Sequence, residues 1–198
     1  MLSLDEYLRE AEIAHGHLCA GQVLGVRLAM LGIEKLGIED PRGKDRKRLV
    51  TFVEIDRCAT DAIALVTGCR LGKRALKFRD WGKMAATFVD LGIKDVSPGK
   101  AIRIAAKESS KALARAMHPE IESKNQQQML AYREMAEDDL FMKQWVKVEL
   151  PAEEFPGYKG ERIVCAECGE GINFAREIVR NGRVLCRACA GERYYQPL

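Results

Sequence analysis

No stretch of this 198-residue chain approaches the eighteen or so apolar residues that a membrane-spanning helix needs. The opening Met1-Leu2-Ser3-Leu4-Asp5-Glu6 does not read as a signal peptide. Both absences place the chain in the cytosol, away from any membrane. There is no internal repeat and no low-complexity segment. A Gly-rich dinucleotide fingerprint is missing, and so is the cysteine-rich run of an iron–sulfur ferredoxin domain. A net charge of +3 is too mild to argue for a nucleic-acid partner.

What is present suits one ordinary domain and a small appendage. Hydrophobic residues make up 47% of the chain, enough for a buried core, and 31% are charged, an ordinary surface. Leu4, Tyr7, Leu8 and Ala11 recur at helical spacing behind Ser3, a natural N-cap with Glu6 three residues on. From Gln22 to about Leu36 apolar residues cover nearly the whole circumference, which predicts a centrally buried helix ended by Gly37. Pro41 to Arg48 is a basic loop with five Lys or Arg residues. Leu49 to Ile55 reads as a strand, and Thr60 to Thr67 as a helix closed by Gly68. Further strands are expected at 75–79, 84–90 and 101–106, punctuated by Gly82, Gly92 and Pro98-Gly99. A helix from Ser109 stops before Pro119, with His118 as a cation at its end. A longer one, about 124–145, turns Met129, Tyr132, Met135, Leu140 and Met142 inward. The reading is an α+β domain over 1–150 with a mixed or antiparallel sheet and buried helices, a linker at 151–162, and a small unit at 163–198.

The small unit carries the strongest chemical signal. Cys165-Ala-Glu-Cys168 and Cys186-Arg-Ala-Cys189 are two CxxC pairs seventeen residues apart. In a reducing compartment such pairs read as metal ligands rather than disulfides or a redox couple. Four thiolates on two knuckles complete a structural zinc site. Asn181-Gly182 between them marks a two-residue hairpin turn. A unit this short buries too little surface to fold unaided, so the metal supplies much of its folding energy. The order Cys-x-x-Cys-Gly-Glu, then Ile172, Ala175 and Arg176, then the second pair resembles the zinc finger of the DksA/TraR group.

A second constellation lies near the N-terminus. His15, His17 and Cys19 occupy alternate positions, Cys58 and Asp61 a second segment, and Cys69 and Lys73 a third. Cys19 precedes the buried helix and Cys58 sits at a strand-to-helix junction, where backbone N–H groups favour the thiolate. His15, His17, Cys19 and Cys58 are candidate ligands of a second metal, with zinc suited to mixed imidazole and thiolate donors. If they converge, they do so because the loop at 15–21 folds against the junction near 58, with both helix N-termini facing one cleft.

His15-Gly-His-Leu-Cys-Ala-Gly21, Glu54-Ile-Asp-Arg-Cys58-Ala-Thr-Asp-Ala-Ile63 and Thr67-Gly-Cys-Arg-Leu-Gly-Lys73 resemble, in order and spacing, the FmdE family, named after one component of formylmethanofuran dehydrogenase. Ala20 stands where that family is expected to have proline. The parent complex works with a molybdenum or tungsten pterin and iron–sulfur clusters, and FmdE is accessory there. The resemblance implies a metal-binding accessory protein or small metalloenzyme tied to molybdenum or tungsten redox chemistry. His17 and Cys58 would be ligands or reactive groups, His15, Cys19 and Asp61 further ligands or their supports, and Lys73 would neutralise an anionic ligand. It also implies a homodimer and molybdenum or tungsten enzyme subunits as partners.

Two other readings compete. A thiol-based carrier would pass sulfur or another group through Cys58 or Cys19. A zinc-finger regulator would contact nucleic acid or RNA polymerase through Arg42 to Arg48 and through Arg176, Arg180, Arg183, Arg187 and Arg193, although a solvated face is the better account of those arginines.

Overall fold

The computed structural model describes residues 1–92 and 100–198, so Pro98-Gly99 lies outside the described residues. The chain divides into two compact units, Met1–Glu149 and Leu150–Leu198.

The first unit opens with helix α1 (Leu4–His15), whose capping box is complete: the Ser3 hydroxyl accepts from the Glu6 amide and the Glu6 carboxylate accepts from the Ser3 amide. Helix α2 (Ala20–Leu36) follows and is buried along its length, as an all-round apolar helix must be. Strand β1 (Leu49–Val53) leads through α3 (Cys58–Thr67) to β2 (Leu76–Phe78), and β1 and β2 pair in parallel. Strands β3 (Ala85–Asp90) and β4 (Ala101–Ala106) continue the sheet, β3 antiparallel to β1 and β4 antiparallel to β3. Helices α4 (Ser109–Met117) and α5 (Lys124–Glu134) come next, then a single turn α6 (Glu137–Leu140) and strand β5 (Phe141–Val146). The result is a mixed five-stranded sheet in the order β2-β1-β3-β4-β5, and the fold class is α+β.

The expected long helix over 124–145 does not form. It ends at Met135, whose backbone is extended, and 141–146 becomes the edge strand on β4, with Phe141 opposite Ala106 and Val146 opposite Ala101. Tyr132, Met135 and Leu140 are buried as expected, but Met142 is 48% exposed. The break is fixed from a distance. The Arg27 guanidinium donates to the carbonyls of Tyr132 (2.6 Å) and Met135 (2.7 Å), satisfying the orphan acceptors of the α5 C-terminus. Burial pushes that guanidinium below its ordinary pKa.

The core lies between α2 and one sheet face, built from Val23, Leu28 and Ile33 on the helix and Val53, Phe88, Ile102 and Ile104 on the strands. Two α2 glycines make the close approach workable. A Cβ at Gly32 would overlap the Phe88 ring, and one at Gly25 would overlap the Ala59 carbonyl on α3. On the other sheet face Val50, Val89 and Ala101 form a smaller cluster. Beside it the Arg103 guanidinium grips the Glu54 carboxylate in two hydrogen bonds of 2.7 Å, with Glu54 nearly inaccessible.

The second unit is built from two small hairpins, β6 (Ile163–Val164) with β7 (Gly171–Ile172) and β8 (Ile178–Arg180) with β9 (Arg183–Leu185). Asn181 (φ 51°) and Gly182 (φ 72°) form the expected two-residue turn. Its hydrophobic cluster has four buried residues, Cys165, Ile172, Leu185 and Ala190, with Ile178, Cys186 and Cys189 partly buried against them. No helix among the described residues is long and apolar enough to cross a membrane.

Candidate metal centre and its cavity

In the second unit the Sγ atoms of Cys165, Cys168, Cys186 and Cys189 lie within 4.8 Å of one another. Four sulfurs about 2.3 Å from one zinc ion sit about 3.8 Å apart at the corners of a tetrahedron. The Cys168–Cys186 separation is 3.8 Å, so the tetrad fits that ion. The amides of Cys168 and Cys186 aim at Cys165 and hold its thiol down to about 6, and the Cys186 amide donates to its sulfur at 3.2 Å. The left-handed Gly169 (φ 77°) turns the first knuckle. Several of the arginines are used locally: Arg187 pairs with Glu192, Arg183 donates to the Ala166 carbonyl, and Arg193 lies over the Tyr195 ring.

In the first unit the sequence-expected residues separate into two groups. Helices α2 and α3 run side by side with their N-termini together, because Gly21 and Gly25 leave room for α3. A Cβ on Gly21 would come within 3.2 Å of the Cys58 Cβ and 3.7 Å of the Cys19 Sγ. Cys19 is the N-cap residue of α2, and Cys58 is the first residue of α3. The two thiols are close enough to hydrogen-bond. Donor atoms of His15, His17 and Cys19 lie within 4.8 Å of one another, with the imidazole centroids of His15 and His17 4.9 Å apart.

Asp61 accepts no role at the sulfur atoms. Its carboxylate sits 2.9 Å from His15 Nδ1, an arrangement in which Nδ1–H is donated and Nε2 keeps its lone pair for a metal. Lys73 stands apart from the group. It lines a different surface depression with Arg42, Arg46 and Arg70, beside the C-terminal end of α3, so it is not placed to neutralise a ligand beside Cys58. Cys69 is buried, donating toward the Leu49 carbonyl, and burial pushes its thiol up.

His17, Cys19 and Cys58 line a cavity of about 500 Å³. Its walls come from segments far apart in sequence: Met84 before β3, Lys107 and Lys111 beside the start of α4, and Asn125, Gln128 and Tyr132 of α5. None of these was singled out by motif. The only sequence signal for them is the polar start of two short helices, which many surfaces share. Asn125 holds the cavity edge, its Oδ1 accepting from the Ala20 amide at 3.1 Å. A proline at position 20 could not make that bond. Gln22 fixes the other side by donating to the Cys58 carbonyl at 2.8 Å. The helix N-terminus does not win at Cys58: burial, then the Cys19 hydrogen bond, push its thiol above the ordinary cysteine value.

Residues 14–142 match the FmdE family, described as the molybdenum formylmethanofuran dehydrogenase operon family. The chain belongs to the FmdE family. Residues 158–195 match the prokaryotic DksA/TraR C4-type zinc finger. The same fold occurs in an FmdE-like protein of the tungsten formylmethanofuran dehydrogenase type from Syntrophus aciditrophicus, at a TM-score of 0.65 and 23% identity over 98% of this chain and 96% of that one. A curated relative from Archaeoglobus fulgidus, named a probable S-adenosyl-L-methionine-binding protein, is 32% identical over 96% of this chain. The chain spans about half (54%) of that relative's length.

Proposed function

We propose that this FmdE-family chain works through a second metal in its first unit, held by His17, Cys19 and Cys58 with His15, as a small metalloenzyme or an accessory protein tied to molybdenum or tungsten redox chemistry. The observation that carries this is the clustering of the His15, His17 and Cys19 donor atoms within 4.8 Å of one another, with His17, Cys19 and Cys58 together on the wall of one cavity. Zinc suits mixed imidazole and thiolate donors, and when bound at a site with an open position it supplies Lewis acidity.

The chain's own residues set up that chemistry. Asp61 orients the His15 ring and fixes its tautomer. Gln22 and Asn125 tie down the backbone at Cys58 and Ala20. The raised thiol of Cys58 favours this reading over a free thiol carrier, because a carrier needs a thiolate at neutral pH while a metal ion removes the proton itself. A homodimer and docking to molybdenum or tungsten enzyme subunits belong to the same proposal.

Elemental analysis tests it. The native chain should hold two zinc ions, His17→Ala one, and Cys168→Ser one. A native content of one that His17→Ala leaves unchanged sinks the second site and returns Cys19 and Cys58 to the carrier reading.

A further inference from the structure

The same cavity has an unusual electrostatic wall. First-turn or N-cap residues of four helices line it: Cys19, Ala20 and Gly21 of α2, Arg57 and Cys58 of α3, Glu108, Ser110 and Lys111 of α4, and Asn125 of α5. The peptide dipoles therefore put four positive ends on one space. Capping differs sharply among these helices. Helices α1 and α5 each open with a serine whose hydroxyl accepts a first-turn amide. Helices α2, α3 and α4 open with Cys19, Arg57 and Glu108, none of which makes a side-chain cap bond. Nor do α2 and α4 carry an acid in the first turn, and the one on α3, Asp61, is taken by His15. At α2 the Ala20 amide is already taken by Asn125 Oδ1, and the first-turn N–H groups that no side chain accepts are what an anion satisfies.

Side-chain charge adds to the backbone. Arg57, Lys107 and Lys111 line the cavity against a single carboxylate, Glu108, which pairs with Lys111 at 2.7 Å. Lys107 donates to the Asp138 backbone carbonyl, while the nearby Asp138 carboxylate makes its ion pair with Lys143. Arg57 has no ion-pair partner among the described residues and is near enough to Cys58 to act on its thiol. Leu24, Met84 and Tyr132 supply an apolar floor.

We propose that this cavity takes a small organic oxyanion, a carboxylate or phosphate ester, with its charged end at the first turns of α2, α3 and α4 between Arg57, Lys107 and Lys111 and its apolar part over Leu24, Met84 and Tyr132. The inference rests on reading this cavity as the working site, and it names the substrate class that the metal reading leaves open.

The test uses the full chain carrying His17→Ala, in which Cys58 is open to reagent whether or not the native chain binds a second metal. Cys58 is alkylated with neutral iodoacetamide and with anionic iodoacetate, and modification is located by peptide mass. The iodoacetate-to-iodoacetamide rate ratio at Cys58 should exceed that of free cysteine by about tenfold, the low end for a cationic cleft that concentrates anions. Adding Arg57→Gln, Lys107→Gln and Lys111→Gln should return the ratio to the free-cysteine value, while Arg57→Lys alone keeps it. Benzoate and inorganic phosphate, at constant ionic strength, should slow alkylation of Cys58 where benzamide does not. Protection by benzoate alone assigns a carboxylate, and by phosphate alone a phosphate ester. A ratio equal to that of free cysteine, or equal protection by benzamide and benzoate, overturns the proposal. A native chain with one zinc that still prefers iodoacetate loses the second metal and keeps the anion, so the two failures are distinguishable.

Discussion

The two units of this chain solve the folding problem in opposite ways. The first surrounds a long apolar helix with a five-stranded sheet and further helices, and its core is apolar side chains with the single buried thiol of Cys69 among them. The second has a hydrophobic cluster with only four buried residues, one of them Cys165. Burial of that size cannot offset the ordering of nearly fifty residues, so the thiolate tetrad must do it through metal. The donor sets differ in the same sense. Four like sulfurs arranged as a closed tetrahedron leave no place for a substrate. The proposed second site, with His17, Cys19 and Cys58 on a cavity wall, leaves one.

The contrast breaks first at Cys168. Cys168→Ser should cost the second unit its fold, since apparent zinc-binding energies of about 10 kcal/mol or more act as folding energy in such domains. Limited proteolysis should then digest 150–198 and spare a fragment ending near Glu149. Intact 150–198 with no zinc would refute the metal-dependent fold.

The converse perturbation is Arg103→Ala, which strands the inaccessible Glu54 carboxylate without its partner. Breaking a buried pair on one side costs about 3–5 kcal/mol. Denaturant unfolding of the first unit should shift by that amount while the finger keeps its zinc. Zinc released in step with that unfolding would mean the two units are coupled.

Acid separates them more gently. The amide of Asp40, then Arg48 and the amide of Glu39, hold the Asp45 carboxyl below the usual carboxylate range against a smaller opposing effect of burial. A lowered folded pKa means that its contribution is complete above about pH 4, the ordinary aspartate value, and falls away as pH drops through the folded pKa. Asp45→Asn should flatten the loss of first-unit stability between about pH 4 and 2. An unchanged slope would remove Asp45 from the account.

The smallest effect is expected at Ser3. Ser3→Ala removes one half of the α1 capping box and should cost about 1 kcal/mol, read as a lower melting temperature of the first unit alone. No change in that melting temperature would mean that α1 frays without consequence.

Local signals carried most of the fold. Ser3 with Glu6, the all-round apolar run of α2, Gly37 and Gly68 as left-handed helix ends, and Asn181-Gly182 each declare their conformation within a few residues. Strand β5 was illegible because Met129, Tyr132, Met135 and Leu140 continue a helical spacing straight into it. What stops the helix is Arg27, 105 residues earlier in sequence. The cavity divided the same way. The histidines and cysteines stand out by type, but Arg57, Lys107, Lys111 and Asn125 are ordinary polar residues until the fold gathers them. Lys73 shows the reverse error: it sits in a conspicuous motif, yet the fold carries it to the other end of α3.

The clasp between Arg27 and the end of α5, with the Ala20–Asn125 bond, also dictates an order of events during synthesis. A nascent chain that has emerged only as far as β4 has made α2 but nothing to cover its far side, and the pocket at Cys19 and Cys58 lacks a wall. Contacts closing more than a hundred residues of chain form late, after loop-closure entropy has been overcome. The thiols thus lack this wall until residues 125–132 arrive. Ribosome-stalled chains cut at 120 should alkylate at Cys58 much faster than chains cut well beyond 150.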